Sequence, residues 1–348
     1  MKSDRTVVFR CDASAQIGGG HVVRCMALAE AFRDAGANIV FAVSEETLRT
    51  VGQLASGPDA VMASMSGEGS DWHSLLGAFP QGIEALIVDH YGLGEAFEQR
   101  AGGWARSVVA IDDFPTRRHT VTHLVDTTLG REPREYRGLV PDDAILMCGS
   151  PFAMLRKPFR THRNAPEPRL ANDGRLRLFI SFGMTDSVDM TGLVLDALVP
   201  IRDQVDIEIA LGSTAPHIGD VHRRIAAFDN ARLLADASAE AMASMTARCD
   251  LAIGAPGSAS YERCCLGKPS LLVQIADNQA GNAASLVSAG AAELVGVYPD
   301  ITTASIRLAV VRLQRDGARR AALAAAASQV TDGCGTRRIV DQVLQRRA

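Results

Sequence analysis

Short apolar runs alternate with polar or amphipathic segments along the chain, and the alternation occurs twice. In the first series, runs at Thr6 to Phe9, Ile39–Val43, Ala85–Val88, Val108–Ile111 and Ile145–Met147 read as buried strands. In the second series, Leu176–Ser181, Val205–Leu211, Arg232–Leu234, Leu251–Ile253 and Ser270–Val273 read the same way. Strands alternating with helical segments predict parallel sheets with helices on both faces. The tail from Ile301 onward is rich in alanine and arginine and predicts helix.

The architecture expected is α/β, with two Rossmann-like halves facing each other across a cleft. At 348 residues the chain is long enough for two cores. Between the series, Pro158, Pro166 and Pro168 and several arginines break the apolar periodicity. That stretch reads as an interdomain linker. The expected boundaries are 1–157 for the first domain, 158–174 for the linker and 175–348 for the second domain.

The first strand leads into Asp12-Ala13-Ser14-Ala15-Gln16-Ile17-Gly18-Gly19-Gly20-His21-Val22-Val23-Arg24-Cys25. This predicts a glycine-rich turn and then a helix, a unit whose loop sits at the carboxyl edge of a parallel sheet, where ligands bind. His21 falls in the first helical turn. There the helix dipole disfavours imidazolium, and a neutral histidine can act as a base near pH 7. The competing reading is a glycine-rich first turn without chemistry. The glycine spacing does not match the dinucleotide fingerprint.

A second strand, turn and helix runs from Asp250 to Cys264. Backbone N–H groups near Gly257, Ser258 and Ala259 suit a phosphate, and Glu262, one turn on, suits ribose hydroxyls. The competing reading is a plain Gly-Ser helix cap with a solvent-facing glutamate. After the next predicted strand, Asn278 and Gln279 suit sugar hydroxyls or cap the following helix. The loop Ser181-Phe182-Gly183-Met184-Thr185-Asp186 is expected to face the same cleft.

Composition narrows the classes. Net charge is −4, which offers no footprint for nucleic acid. No apolar run approaches the length of a membrane span. The start Met1-Lys2-Ser3-Asp4-Arg5 leads straight toward a strand, which predicts a cytoplasmic protein without signal peptide and without stable membrane association. The seven cysteines contain no Cys-x-x-Cys pair and read as reduced thiols. No Walker sequence or strand-flanked Asp-x-Asp is present; Asp112-Asp113 and Asp142-Asp143 are adjacent pairs. No cofactor and no metal are expected.

Taken together these motifs resemble the UDP-sugar hydrolases of pseudaminic acid biosynthesis (the PseG/SpsG family), relatives of the MurG-like GT-B glycosyltransferases. The resemblance rests on Asp12 to Cys25, Val88-Asp89-His90-Tyr91-Gly92, Gly138-Leu139-Val140-Pro141 and Cys148-Gly149 through Arg156. It continues through Gly183 to Asp186, Gly257 to Glu262, and Asn278-Gln279. It implies a GT-B-like fold and hydrolysis of UDP-2,4-diacetamido-2,4,6-trideoxy-β-L-altropyranose to UDP and the free sugar, which serves flagellar or surface glycans. His21 would then deprotonate the attacking water, Tyr91 would lie near sugar and water, and Asp12 would hold the loop or touch the sugar. Gly19, Gly20 and Arg24 belong to the same motif. Asp89 and His90 would orient the site, or pack and cap. Met184 stands where the family usually has a second glycine, so a side chain meets a place of close backbone approach. Two other classes fit parts of the pattern: a GT-B glycosyltransferase with a UDP-sugar donor, and a non-catalytic nucleotide-sugar-binding protein.

Overall fold

A computed structural model describes residues 5–14, 16–165 and 174–345. The expected linker prolines Pro166 and Pro168, Ala15 of the glycine-rich turn, and the start Met1 to Asp4 lie outside the described residues. The chain divides into two compact units, one of residues 1–155 with 334–348 and the other of residues 156–333.

Unit 1 is built on a seven-stranded parallel sheet. Its strands are β1 Thr6–Cys11, β2 Asn38–Ala42, β3 Ala60–Met62, β4 Ile83–Asp89, β5 Ala105–Ile111, β6 His123–Asp126 and β7 Ile145–Cys148. Their order is β3-β2-β1-β4-β5-β6-β7. The central strands are apolar and buried on both faces, as a sheet covered by helices requires. Phe9 stacks on Phe41 across β1 and β2 and meets Phe32 of the helix Gly20–Asp34 edge-on. The register of β1 and β4 pairs Cys11 with Asp89, so both strands deliver their last residues to one edge. Strand order reverses between β1 and β4, which opens a crevice at that edge.

Unit 2 has a six-stranded parallel sheet of β8 Leu176–Ser181, β9 Val205–Leu211, β10 Ala231–Ala235, β11 Leu251–Gly254, β12 Ser270–Gln274 and β13 Glu293–Val297. The order is β10-β9-β8-β11-β12-β13. Its core gathers Leu178, Ile180, Ile209, Leu251 and Leu271 from the strands with Val194, Leu198 and Val310 from covering helices. The reversal of strand order falls between β8 and β11, which pair up to Gly254 and Ser181.

Two features differ from the expected boundaries. Part of the expected linker forms the helix Lys157–Arg163, which carries Pro158 in its first turn, buries Phe159 fully and packs within unit 2 against the helix Ala239–Arg248. A proline suits a first helical turn, where its missing N–H has no helical partner anyway. The tail also departs from the second domain. Residues 334–348 join unit 1, where the helix Gly335–Leu344 buries Ile339, Val340 and Val343 and packs against the helix Gly20–Asp34. Arg338 fixes that helix by donating to the Pro151 carbonyl at 2.9 Å. Three strands went unread because none is a long apolar run: β3 is three residues long, β6 is bounded by His123 and Asp126, and β13 holds Glu293 and Gly296.

Candidate active site

At the carboxyl edge of the first sheet, one buried carboxylate gathers two side chains from the helix after β1. Asp89, 1% exposed, ends β4. Its Oδ1 lies 2.5 Å from His21 Nδ1 and accepts from Arg24 Nη2 at 2.7 Å, while Oδ2 accepts from Arg24 Nε at 2.6 Å. Burial pushes the Asp89 carboxyl up, but Arg24 and His21 outweigh it and hold the group far below the usual carboxylate range. Because Asp89 stays ionised, it can only accept. The proton between it and His21 therefore belongs to Nδ1, and neutral His21 carries its lone pair on Nε2. Arg24 also donates to both oxygens of Asp113 at 3.0 Å, so its guanidinium lies between two carboxylates.

The helical spacing explains why His21 and Arg24 meet one partner: residues three apart lie on one face. Gly19 caps the helix, Gly20 opens it and His21 follows, within reach of the positive end of the dipole. Asp89 holds the ring from its Nδ1 side.

Next to this pair, the Tyr91 ring meets His21 edge-on at 4.7 Å between centroids. Tyr91 is 39% exposed, so the ring borders solvent. His90 points elsewhere. Its Nδ1 accepts the Gly92 N–H at 2.9 Å, which places the ring proton on Nε2, 3.2 Å from Asp12 Oδ2. Asp12 also accepts from the Ser44 N–H and Thr47 hydroxyl and pairs with Arg10. Partial burial raises its pKa, but His90, Arg10 and the Ser44 amide hold it well below the ordinary range. Asp12 and His90 thus tie the β1, β2 and β4 loops together, and Tyr91 follows directly in the chain.

A further group carries no local sequence signal. Buried His119 lies between Glu98, 2.7 Å from Nδ1, and Asp112, 3.2 Å from Nε2. Asp112 accepts from Arg117, whose other terminal nitrogen donates to the Tyr91 carbonyl at 2.9 Å. The adjacent pair Asp112-Asp113 is therefore divided between two cations, Asp112 with Arg117 and Asp113 with Arg24.

In unit 2 the turn after β11 leads to the helix Ala259–Cys265. Ser258 makes no side-chain cap bond. The backbone N–H groups of Gly257 and Ser258 find no acceptor among the described residues. Glu262 is buried and forms a bidentate pair with Arg156 at 2.7 and 2.8 Å. Neither the Gly-Ser side-chain cap nor the solvent-facing glutamate fits that geometry. A doubly bonded carboxylate keeps further lone pairs, so it can accept from hydroxyls as well. Gln279 spends its side-chain oxygen on the Ile275 N–H at 3.0 Å, and Asn278 is exposed beside it. Asn282, which the sequence did not single out, donates to the Pro256 carbonyl and accepts from the Tyr261 hydroxyl, bracing the turn.

The loop after β8 brings Gly183, Met184 and Thr185 to the same edge of this sheet. Gly183 has φ +93°, a conformation that only glycine takes without strain. The Met184 carbonyl accepts the Gly212 N–H at 2.9 Å, so its backbone is engaged with the loop after β9. Asp186 is buried and accepts from the N–H groups of Met190 and Thr191, capping the helix Met190–Leu198.

No family model matches the chain. Over 230 residues it is 26% identical to the UDP-2,4-diacetamido-2,4,6-trideoxy-beta-L-altropyranose hydrolase of Campylobacter jejuni, covering 66% of this chain and 78% of that one. The chain is similar to a UDP-sugar hydrolase. Among solved structures, Acinetobacter baumannii MurG matches with a TM-score of 0.66 at 14% identity, covering 97% of this chain and 99% of that one. The UDP-GlcNAc 2-epimerase of Neisseria meningitidis, bound to UDP-GlcNAc, matches with a TM-score of 0.64 at 13% identity, covering 98% and 99%. The glycosyltransferase CalG4 matches with a TM-score of 0.64 at 14% identity, covering 98% of each. The fold is GT-B-like, with two Rossmann-like parallel-sheet units. Among the described residues, no helix is long and apolar enough to cross a membrane.

The His119 cluster sets a pH dependence. Burial alone would lower its pKa, but the bonds to Asp112 and Glu98 win and raise it to about 9. A raised pKa in the folded state means that the pairing stabilises fully below the ordinary value of about 6.5 and is lost as pH climbs through 9. Thermal melting from pH 6 to 10 should show this loss as a fall in midpoint. In His119→Gln that part of the fall should vanish, leaving a flatter profile.

Proposed function

We propose that this chain hydrolyses a UDP-linked 2,4-diacetamido-2,4,6-trideoxyhexose at the anomeric carbon–oxygen bond, releasing UDP and the free sugar. The observation that carries the reading is the His21–Asp89 contact at the crevice of the first sheet, in a chain similar to a hydrolase of such a substrate. A histidine with its Nδ1 proton held by a carboxylate and its Nε2 lone pair free is equipped to take a proton from water.

In the proposed step, a water oxygen attacks the anomeric carbon and its proton passes to His21 Nε2. The carbon–oxygen bond to the diphosphate breaks, and UDP departs with the bonding electrons. One displacement inverts the anomeric centre. Asp89 stabilises the imidazolium as it forms, and Tyr91 shapes the site beside it. Asp12, His90 and Arg24 hold these groups in place. UDP is already a good leaving group, so the route needs neither a strong general acid nor a metal. Unit 2 is read as the nucleotide holder. Gly183, Thr185, Gly257, Ser258 and Ala259 would take the diphosphate, Glu262 the ribose hydroxyls, and Asn278 and Gln279 further hydroxyls.

Glycosyl transfer is the second reading, favoured by the fold likeness to MurG and CalG4. There the same base would act on an acceptor hydroxyl. UDP release measured without any acceptor separates the two: turnover supports hydrolysis, and strict dependence on an added acceptor supports transfer.

Two variants test the assignment of residues. His21→Asn should lower kcat by about 10²- to 10⁴-fold, the range for loss of a general base. Its UDP affinity should stay near the original, and a variant that keeps a quarter of the original kcat would remove His21 from this role. Glu262→Gln should weaken UDP by about 1.5–3 kcal/mol in calorimetry, as expected for a lost charged hydrogen-bond partner. An unchanged affinity would free the ribose from Glu262.

A further inference from the structure

Arg263 is 2% exposed and sits in the short helix Ala259–Cys265. Its Nη2 donates to the Ala255 carbonyl at 2.8 Å, and its Nε finds no hydrogen-bond partner among the described residues. The guanidinium lies against Gly254, where a Cβ would fall 2.9 Å from Nη1 and 2.4 Å from the Ser181 carbonyl oxygen. A residue without a side chain at 254 is therefore what makes room for the cation between the ends of β8 and β11. Strand order reverses between those two strands, and parallel sheets take ligands at such a point.

The charges at this spot do not balance. Among the described residues, the carboxylate that acts on Arg263 is that of Glu262, and both of its oxygens are bonded to Arg156. Two guanidinium groups share one carboxylate. Burial works against the charged form of Arg263, yet arginine does not give up its proton inside a protein. A buried cation with an idle N–H and no carboxylate of its own is expensive to keep. A bound anion would remove that expense.

We propose that Arg263 is a positioning residue whose missing counter-charge is the diphosphate of the bound nucleotide. The proposal rests on the reading of unit 2 as the nucleotide holder. Arg263 acts from beneath the turn. Through the Ala255 carbonyl it fixes the backbone that presents the Gly257 and Ser258 N–H groups. Through the thin, poorly polarisable layer of that turn, its charge attracts the anion more strongly than it would through water. No bond is made or broken.

The test compares the unaltered chain with Arg263→Met and Arg263→Lys, using UDP, uridine and inorganic pyrophosphate in calorimetry and thermal melting. Without ligand, Arg263→Met should melt no lower than the unaltered chain, because a costly buried charge has gone. It should lose roughly 10- to 100-fold in affinity for UDP and pyrophosphate, the effect of one charged partner, while its affinity for uridine is unchanged. Arg263→Lys, which keeps the charge, should recover part of the loss. A purely structural arginine gives the opposite pattern: a lower melting point without ligand, with the three ligands affected alike. That pattern overturns the proposal, as does UDP affinity in Arg263→Met equal to that of the unaltered chain, an outcome that leaves the nucleotide reading standing. Arg263-dependent binding of pyrophosphate by a chain indifferent to UDP would uphold the anion site and remove the nucleotide reading. Failure of both UDP and pyrophosphate to bind the unaltered chain overturns both.

Discussion

Unit 1 depends on one buried carboxylate. Asp89 is held ionised by Arg24, and its two oxygens decide where the protons and the charges around it go. Remove Arg24 and burial would push the carboxyl toward its neutral form. A neutral carboxyl would then compete for the wrong tautomer of His21. The pair is costly to bury, and the sheet meets that cost by bringing the last residue of β4 beside the first turn of the helix after β1. The loops around it are tied by a second set of polar contacts, from Arg10 and Asp12 to His90, and by a third, from Glu98 and His119 through Asp112 to Arg117 and the Tyr91 carbonyl. Tyr91 borders His21 from a segment that both sets reach.

Unit 2 solves a different problem with the same architecture. The turn after β11 carries the backbone N–H groups of Gly257 and Ser258 and no carboxylate of its own. Glu262 is engaged by Arg156, and Arg263 lies beneath the turn without a carboxylate. In the proposed reading that turn takes the anionic ligand, whereas His21 of the first unit serves as the base. In the proposed reaction this division separates holding the leaving group from activating the water.

The sequence made both sheets readable wherever a strand is a continuous apolar run, because strands buried on two faces have no polar alternation. It failed at β6, whose ends are His123 and Asp126, and at the half-exposed edge strand β13, which Gly296 interrupts. The helix of the tail was legible, but its place was not. Helical periodicity shows that Ile339, Val340 and Val343 share a face, and cannot show that the helix Gly20–Asp34 covers it. The candidate site divides in the same way. His21 stood out through its place in a helix start, a local property. The pairing of Arg24 with Asp89 spans 65 residues, and that of Arg156 with Glu262 spans 106, so neither leaves a local mark. His119 and Arg263 are ordinary residues in the sequence, and only burial makes their charges conspicuous.

In the proposed reaction His21 directs water at carbon. Turnover in ¹⁸O-water followed by mass analysis of both products tests it most directly. Attack at carbon puts one labelled oxygen in the free sugar and none in UDP. Label in UDP would mean attack at phosphorus, and would contradict the role given to His21 and to the carboxylate that orients it.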